Sequence, residues 1–369
     1  MEATLGGTRR YLEDVSEALG AGDCYGIVYS LHRADGAFML LLEKLRRAGW
    51  QLFELDMRRE IRPGHDFKCT LALQNIYRSF KPDVVHAHSS KAGALARLAT
   101  IGMKHRPGIV YTPNSIASNV SWVYGLIERV LALRLDIIAA VTQSERDELF
   151  RLGLLPLARI HVVVPTIPSD GFAPRSRELA RWELGLADGP LMIGIGRLTA
   201  QKNPLAFVEL AAALRALVPG LRAVWVGDGE MRPAVEQRIA DLGLGSSVSI
   251  TGWLDDVRPH VAAANLFVSV ARYESFGYVT AEALAMERPV VASAITGTVD
   301  IVKSDVAEQL FTPNDLAGAA VLAARLLGDP AFAAGVANRG RAFVNAAFSV
   351  DETRRALRTA YDAALQPAS

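Results

Sequence analysis

The chain has 369 residues, half of them apolar, and a formal net charge of +1. That length and apolar content suffice for two hydrophobic cores, and the near-neutral charge argues against a dedicated nucleic-acid binder. Two cysteines, Cys24 and Cys69, make no disulfide framework and lack metal-ligand spacing, so a reducing cytoplasm is the expected compartment.

Taken in chain order, apolar runs predict strands at 25–30, 50–55, 83–87, 108–112, 136–141 and 160–164. Helical stretches such as 66–80 and 119–134 separate them. A segment rich in proline and turn residues, Val164 to Pro174, reads as a linker. Beyond it, strands are predicted at 191–195, 222–226, 248–251, 266–270, 289–292 and 309–311. Helices at 330–347 and 351–366 close the chain. Strand and helix alternate throughout, which is the pattern of an α/β protein with two doubly wound parallel sheets, here expected to face a cleft. No run reaches the ~18 apolar residues of a membrane-spanning helix, and the start lacks the basic-then-apolar layout of a secretory signal.

Two segments carry chemistry. Tyr273-Glu274-Ser275-Phe276-Gly277-Tyr278-Val279-Thr280-Ala281-Glu282 places two carboxylates eight residues apart across a strand-to-helix joint. The helix N-terminus between them offers unpaired N–H groups and the positive end of the helix dipole, which favour a phosphate. Glu282 is placed to accept hydrogen bonds from the hydroxyl pair of a ribose. At 191–204, an apolar strand stops at Gly196 and is followed by Arg197 and Lys202, a planar fork of donors and a compact ammonium that together suit a diphosphate. Both follow the C-terminal end of a strand, where open parallel sheets bind ligands. The two segments point to a nucleotide-sugar site.

The Glu-x7-Glu element at 274–282 and the Gly-Arg-x4-Lys element at 196–202 have companions in Val226-Gly227-Asp228-Gly229-Glu230 and Thr251-Gly252-Trp253-Leu254. The N-terminal half adds Glu2-Ala3-Thr4-Leu5-Gly6-Gly7, Val85-His86-Ala87-His88-Ser89-Ser90-Lys91-Ala92-Gly93 and Tyr111-Thr112-Pro113-Asn114. In this order the pieces resemble the family 4 retaining glycosyltransferases, which have the GT-B fold. The resemblance implies an N-terminal acceptor domain over 1–165, a nucleotide-sugar domain over 175–345, and a terminal helix within 346–369 that returns to the first domain. It implies that Arg197 and Lys202 hold the donor diphosphate and Glu282 the ribose. The backbone at Gly196, Gly277, Tyr278 and Val279 would also serve the donor. Glu274 would lie near the sugar, and Trp253 and Leu254 near the base. Gly6 and Gly7 would reach phosphate, while Asn114 and His88 would line the reacting end. Asn114 stands where the family commonly carries a histidine. His86 and His88 project to one face of a strand, yet no third ligand is in view, so neither a metal nor another cofactor is expected.

Met1 is followed directly by the Glu-Ala-x-x-Gly-Gly loop, so the buried first strand of the family is missing, and the expectation is that the true start lies upstream. Residues 1–165 carry 21 Lys and Arg against 17 Asp and Glu, whereas the remainder carries 19 against 22. That basic surplus, together with the resemblance to enzymes of bacterial exopolysaccharide, capsule and O-antigen assembly, implies a saccharide acceptor on polyprenyl diphosphate. It also implies peripheral contact with the inner face of the cell membrane. Arg46, Arg47, Arg58, Arg59 and Arg62, with Trp50, Trp122 and Tyr124, are the candidates for that contact. Two other readings use the same residues: a GT-B-like sugar-nucleotide epimerase, and a non-catalytic binding or scaffold protein.

Overall fold

A computed structural model describes residues 1, 6–20, 22–113, 122–302 and 309–366, and of residues 122–125 only the backbone. The chain divides into two compact units, one comprising Met1–Thr166 with Val350–Ser369 and the other Ile167–Ser349. The chain returns to the first unit at Val350, after the helix Pro330–Ala347, which packs on the helix Tyr278–Ala285 of the second unit.

In the second unit six parallel strands form one sheet: β7 (Leu191–Ile195), β8 (Arg222–Val226), β9 (Val248–Ile250), β10 (Leu266–Ser269), β11 (Val290–Ser293) and β12 (Leu310–Phe311). Their spatial order is β12-β11-β10-β7-β8-β9. Helices cover both faces of such a sheet, so its strands read as continuous apolar runs. β7 and β11 are buried at every residue. The chain winds outward from β7 through β8 and β9, then crosses back to β10 and winds the other way. The crevice between the C-terminal ends of β7 and β10 is therefore a topological switch point.

The first unit holds β1 (Gly26–Tyr29), β2 (Gln51–Glu54), β3 (Val84–His88), β4 (Gly108–Thr112), β5 (Ile137–Ala140) and β6 (Ile160–Val162). They form two parallel sheets, β1-β2 and β3-β4-β5-β6. Val28 of β1 and Val85 and Ala87 of β3 nevertheless share one core cluster. On the free edge of β1, the Met1 amino group donates to the Val28 carbonyl at 2.5 Å and the Ser30 N–H donates to the Met1 carbonyl at 3.2 Å. Met1 is bonded there as one residue of a parallel strand would be, and Glu2 to Leu5 lie outside the described residues.

The helix Val350–Leu365 is fastened to this unit by polar contacts along its length. The Thr353 hydroxyl donates to the Val164 carbonyl at 3.0 Å, Arg354 Nε donates to the Ala18 carbonyl at 2.9 Å, and the Tyr361 hydroxyl meets His86 Nδ1 at 2.9 Å. Gly108 is required beneath it, since a Cβ there would lie 2.5 Å from the Ala364 carbonyl oxygen.

Arg97 is the largest fully buried side chain among the described residues. Its guanidinium donates to Glu128 through both terminal nitrogens at 2.8 and 3.2 Å, donates from Nε to the Gly93 carbonyl at 2.8 Å, and lies 4.7 Å from the centre of the Tyr111 ring. Glu128 thereby ties the helix Trp122–Ala132 to the helix Ser90–Leu98. Removing one partner of a buried pair leaves an uncompensated charge. Glu128→Ala should lower unfolding free energy by about 3 kcal/mol in urea titration, at the low end of that class because Glu128 is partly solvated. The apolar double replacement Arg97→Met/Glu128→Leu should recover most of the loss, and equal loss in both would show that the charge itself is not what matters.

Candidate active site

The loops that leave β7, β8 and β10 at their C-terminal ends are pressed together, and glycines allow it. Gly196, directly after β7, has φ of +149°, and its carbonyl accepts from the Trp225 indole at 2.9 Å. Gly227, directly after β8, has φ of +134°, and a Cβ on it would lie 2.1 Å from that same Gly196 oxygen. A Cβ on Gly229 would lie 2.6 Å from the Leu198 oxygen. The Leu198 N–H donates to the Asp228 carbonyl at 2.9 Å, completing the seam.

The β7 and β10 loops are also joined directly. Arg272 N–H donates to the Gln201 carbonyl at 2.9 Å, and Gln201 Nε2 donates to the Tyr273 carbonyl at 3.1 Å. Lys202 Nζ forms an ion pair with Glu274 Oε1, both side chains being largely shielded from solvent. The lysine stem runs over Gly196, where a Cβ would meet it at 3.1 Å. The two motifs of the sequence therefore converge in one place, and the cation of one meets the carboxylate of the other. Arg197, by contrast, is exposed and has no polar side-chain partner among the described residues.

Glu282 is buried in the helix Tyr278–Ala285, whose N-terminus is capped by Gly277 at φ of +103° with no side-chain cap. Gly297, in the loop after β11, presses on the same segment: its Cβ position lies 2.7 Å from the Ser275 carbonyl carbon. Trp253 is 65% exposed in the loop after β9, so its ring is a free aromatic face, with Leu254 partly buried beside it. Asp228 is held by Arg232 at 2.7 Å and by the Gly229 N–H at 2.8 Å, and the hydrogen bonds from Gly229 and then Arg232 keep its carboxyl below the usual range. Trp225, Gln201 and Gly297 escaped the sequence reading. The tryptophan looked like one more core residue of a strand, and only the Gly after a buried strand, shared by 196, 227 and 297, was a usable signal.

In the first unit the sequence candidates fare differently. Gly6 and Gly7 are exposed at the start of the helix Gly6–Leu19. Asn114 lies outside the described residues. His88 is buried, tilted against His86 with ring centres 4.2 Å apart and edge-on to Tyr11 at 5.6 Å. His86 has both ring nitrogens engaged, by the Tyr361 hydroxyl at 2.9 Å and the Thr112 hydroxyl at 2.8 Å, which leaves neither for a metal. Of the residues named for membrane contact, Arg59 and Arg62 are exposed and their side chains have no polar partner among the described residues, while the other three arginines are paired. Arg46 and Arg47 pair with Glu43, Arg58 pairs with Asp56, and Trp50 stacks on Tyr25 at 4.9 Å. The side chains of Trp122 and Tyr124 lie outside the description.

Comparison with known proteins identifies the scaffold. The sequence profile described as Glycosyltransferase Family 4 matches residues 5–170, and that described as Glycosyl transferases group 1 matches residues 189–329. A D-inositol 3-phosphate glycosyltransferase of Mycolicibacterium paratuberculosis is 32% identical over 304 residues, covering 77% of this chain and 67% of that protein. This chain is a family 4 glycosyltransferase. An Escherichia coli UDP-Gal:alpha-D-GlcNAc-diphosphoundecaprenol alpha-1,3-galactosyltransferase is 27% identical over 263 residues, 68% of each chain. The alpha-D-kanosaminyltransferase of Streptomyces kanamyceticus is 31% identical, but the match spans only about half of either protein, 55% of this chain and 54% of that one. Among solved structures, Anabaena HepE in complex with UDP superposes with a TM-score of 0.82 at 21% identity, over 96% of this chain and 95% of that one. The glycosyltransferase therefore has the GT-B fold.

Burial drives the His86 pKa down to about 3, and it drives His88 well below its usual value, helped by His86 and the Met1 amino group. Both rings are neutral in the folded enzyme, whereas the unfolded chain takes up their protons below pH ~6.5. Their contribution is thus complete above that pH and is lost as pH falls toward the folded values. For His86 alone the loss between pH 7 and pH 5 is up to about 2 kcal/mol. Urea titrations at the two pH values should show it, and His86→Gln should flatten the dependence. A wild-type stability that does not move over this range would contradict the neutral pair.

Proposed function

We propose that this glycosyltransferase moves a sugar from a UDP- or GDP-sugar to a saccharide acceptor carried on polyprenyl diphosphate, with retention at the anomeric carbon and without a metal ion. The observation that carries the donor part is the pairing of Lys202 with Glu274 at the switch point between β7 and β10, with Glu282 buried in the helix that follows Glu274. UDP bound to HepE, and the UDP-Gal donor and diphosphoundecaprenol acceptor in the name of the E. coli relative, support the same reading.

Each residue has a separate task in it. Exposed Arg197 is free to meet a diphosphate as it arrives. Lys202 leaves Glu274 and turns to the phosphates, and Glu274, released by the same event, accepts from the sugar hydroxyls. The uncapped terminus at Gly277, Tyr278 and Val279 adds N–H donors and dipole to the phosphate side. Glu282 accepts from the ribose. As the glycosidic bond breaks, negative charge grows on the departing diphosphate, which lies on the face where the acceptor hydroxyl arrives. Its phosphate oxygen takes the acceptor proton, so no covalent enzyme intermediate is formed. Cations held against that growing charge lower the barrier electrostatically, which is usually the largest single term in such a site.

Thermal-shift titration with UDP, GDP and ADP tests the donor site. A ligand at 100 times its dissociation constant adds about 2.7 kcal/mol to stability. No shift with any of the three would overturn the assignment.

The variants separate the roles. Lys202→Ala should reduce transfer by roughly two to three orders of magnitude with folding intact. Glu282→Ala should weaken uridine and UDP alike, because its partner is the ribose. Glu274→Gln should lower turnover while UDP affinity holds or improves, because the ligand no longer competes for Lys202. Near-normal turnover in folded Lys202→Ala and Glu282→Ala proteins would remove this crevice from consideration as an active site.

A further inference from the structure

The first unit carries an apolar face edged by cations that no described element covers. On the helix Trp122–Ala132, Leu126 and Val130 are 55% and 59% exposed, and Leu133, one turn beyond Val130, is 84% exposed. Spacings of four and three residues put the three on one side of the helix. Glu128 points the other way, into its fork with Arg97, so this side is turned from the helix Ser90–Leu98. Arg129 and Arg134 flank the stripe, and neither has a polar side-chain partner among the described residues.

Charge decides what such a face takes. From Ser90 to Leu135 the sequence contains one carboxylate, Glu128, and that one is consumed by Arg97. The next, Asp136, is buried and held by Arg106 at 2.6 Å and by Arg159. The stretch that carries this face is therefore apolar and cationic, with no carboxylate of its own left to balance it. A second copy docked symmetrically would set the same arginines against each other, since an isologous interface apposes a patch with itself. Apolar side chains that enter an acyl boundary, ringed by Lys and Arg that meet anionic headgroups, are the composition of an interfacial membrane helix.

We infer that Leu126, Val130 and Leu133, with Arg129 and Arg134, form a docking face for an anionic phospholipid bilayer. It is distinct from the set of Arg46, Arg47, Arg58, Arg59 and Arg62, of which the first three are paired. It rests on the proposed lipid-linked acceptor for its purpose, because docking brings the enzyme to a membrane-confined substrate. Its physical argument is independent of that acceptor.

The test is co-sedimentation of the full chain with vesicles of 30 mol% phosphatidylglycerol in phosphatidylcholine, against vesicles of phosphatidylcholine alone. Binding to the anionic vesicles is expected to exceed binding to neutral ones by at least tenfold at 0.1 M salt, and to weaken at 0.5 M salt as the charges are screened. Val130→Ser/Leu133→Ser should reduce binding at least fivefold. Arg129→Gln and Arg134→Gln should each reduce it about fivefold, the scale of one cation near an anionic surface. All variants should keep the wild-type melting temperature and the UDP-induced thermal shift. Equal binding to both vesicle types, or variants that bind like wild type, would overturn the inference. So would a dimer that Val130→Ser/Leu133→Ser dissociates while vesicle binding is unchanged, which would assign the face to a second copy. Loss of the UDP shift with vesicle binding intact would instead fault the donor-site reading alone.

Discussion

The close approach of the loops after β7 and β8 is the constraint on which the rest of the second unit's site depends. Gly227 sits so near the Gly196 carbonyl that a side chain there would overlap it at 2.1 Å. Both residues also hold backbone conformations that side chains rarely adopt. The contact brings the Gly196 carbonyl within reach of the Trp225 indole and fixes where the following residues begin. Lys202 then packs its stem over Gly196 and brings its ammonium to Glu274. Without these glycines the two loops would stand apart, and the charges would be separate surface groups worth little to each other.

The Lys202–Glu274 pair is also a constraint on binding. In the unliganded enzyme each group satisfies the other in a shielded position, so neither is left as an uncompensated charge. An anionic ligand that recruits the lysine must replace the carboxylate, and a ligand that also offers hydroxyls gives that carboxylate a new partner. A nucleoside diphosphate alone meets half of this exchange, whereas a nucleotide sugar meets both halves. Under the proposed donor roles, discrimination in favour of the intact donor would follow from the pairing itself, because the free diphosphate would leave Glu274 without the cation it had.

The strands of the second unit were legible because parallel strands buried on both faces must be apolar at consecutive positions. The reading placed β7 and β8 at 191–195 and 222–226, as found, while the neighbouring β9 and β10 each ended one residue sooner than read. The Glu-x7-Glu and Gly-Arg-x4-Lys spacings located the loops for the same reason, since each follows such a run. What they could not give was the pairing between them: Lys202 and Glu274 are 72 residues apart in sequence, and only the switch between β7 and β10 makes them neighbours. Charge counting likewise found the basic first half but not which of its cations are paired. Arg46 and Arg47 are spent on Glu43 four residues or fewer away, whereas Arg129 and Arg134 lie in a stretch where folding has hidden the only acid.

That hiding links the stability of the first unit to the character of its surface. Arg97 is fully buried and needs a counter-charge, and Glu128 supplies it from the helix that carries the exposed leucines. Had that helix offered its carboxylate to Arg129 or Arg134 instead, the core arginine would be uncompensated and the outer face would be close to neutral. A buried charge costs far more to leave unpaired than a solvated one, so the core takes the carboxylate. The outer arginines stay unneutralised as a consequence of the inner one. The cationic edge of the apolar face is thus set by packing requirements several ångströms beneath it, and a change at Glu128 alters the surface potential and the core together.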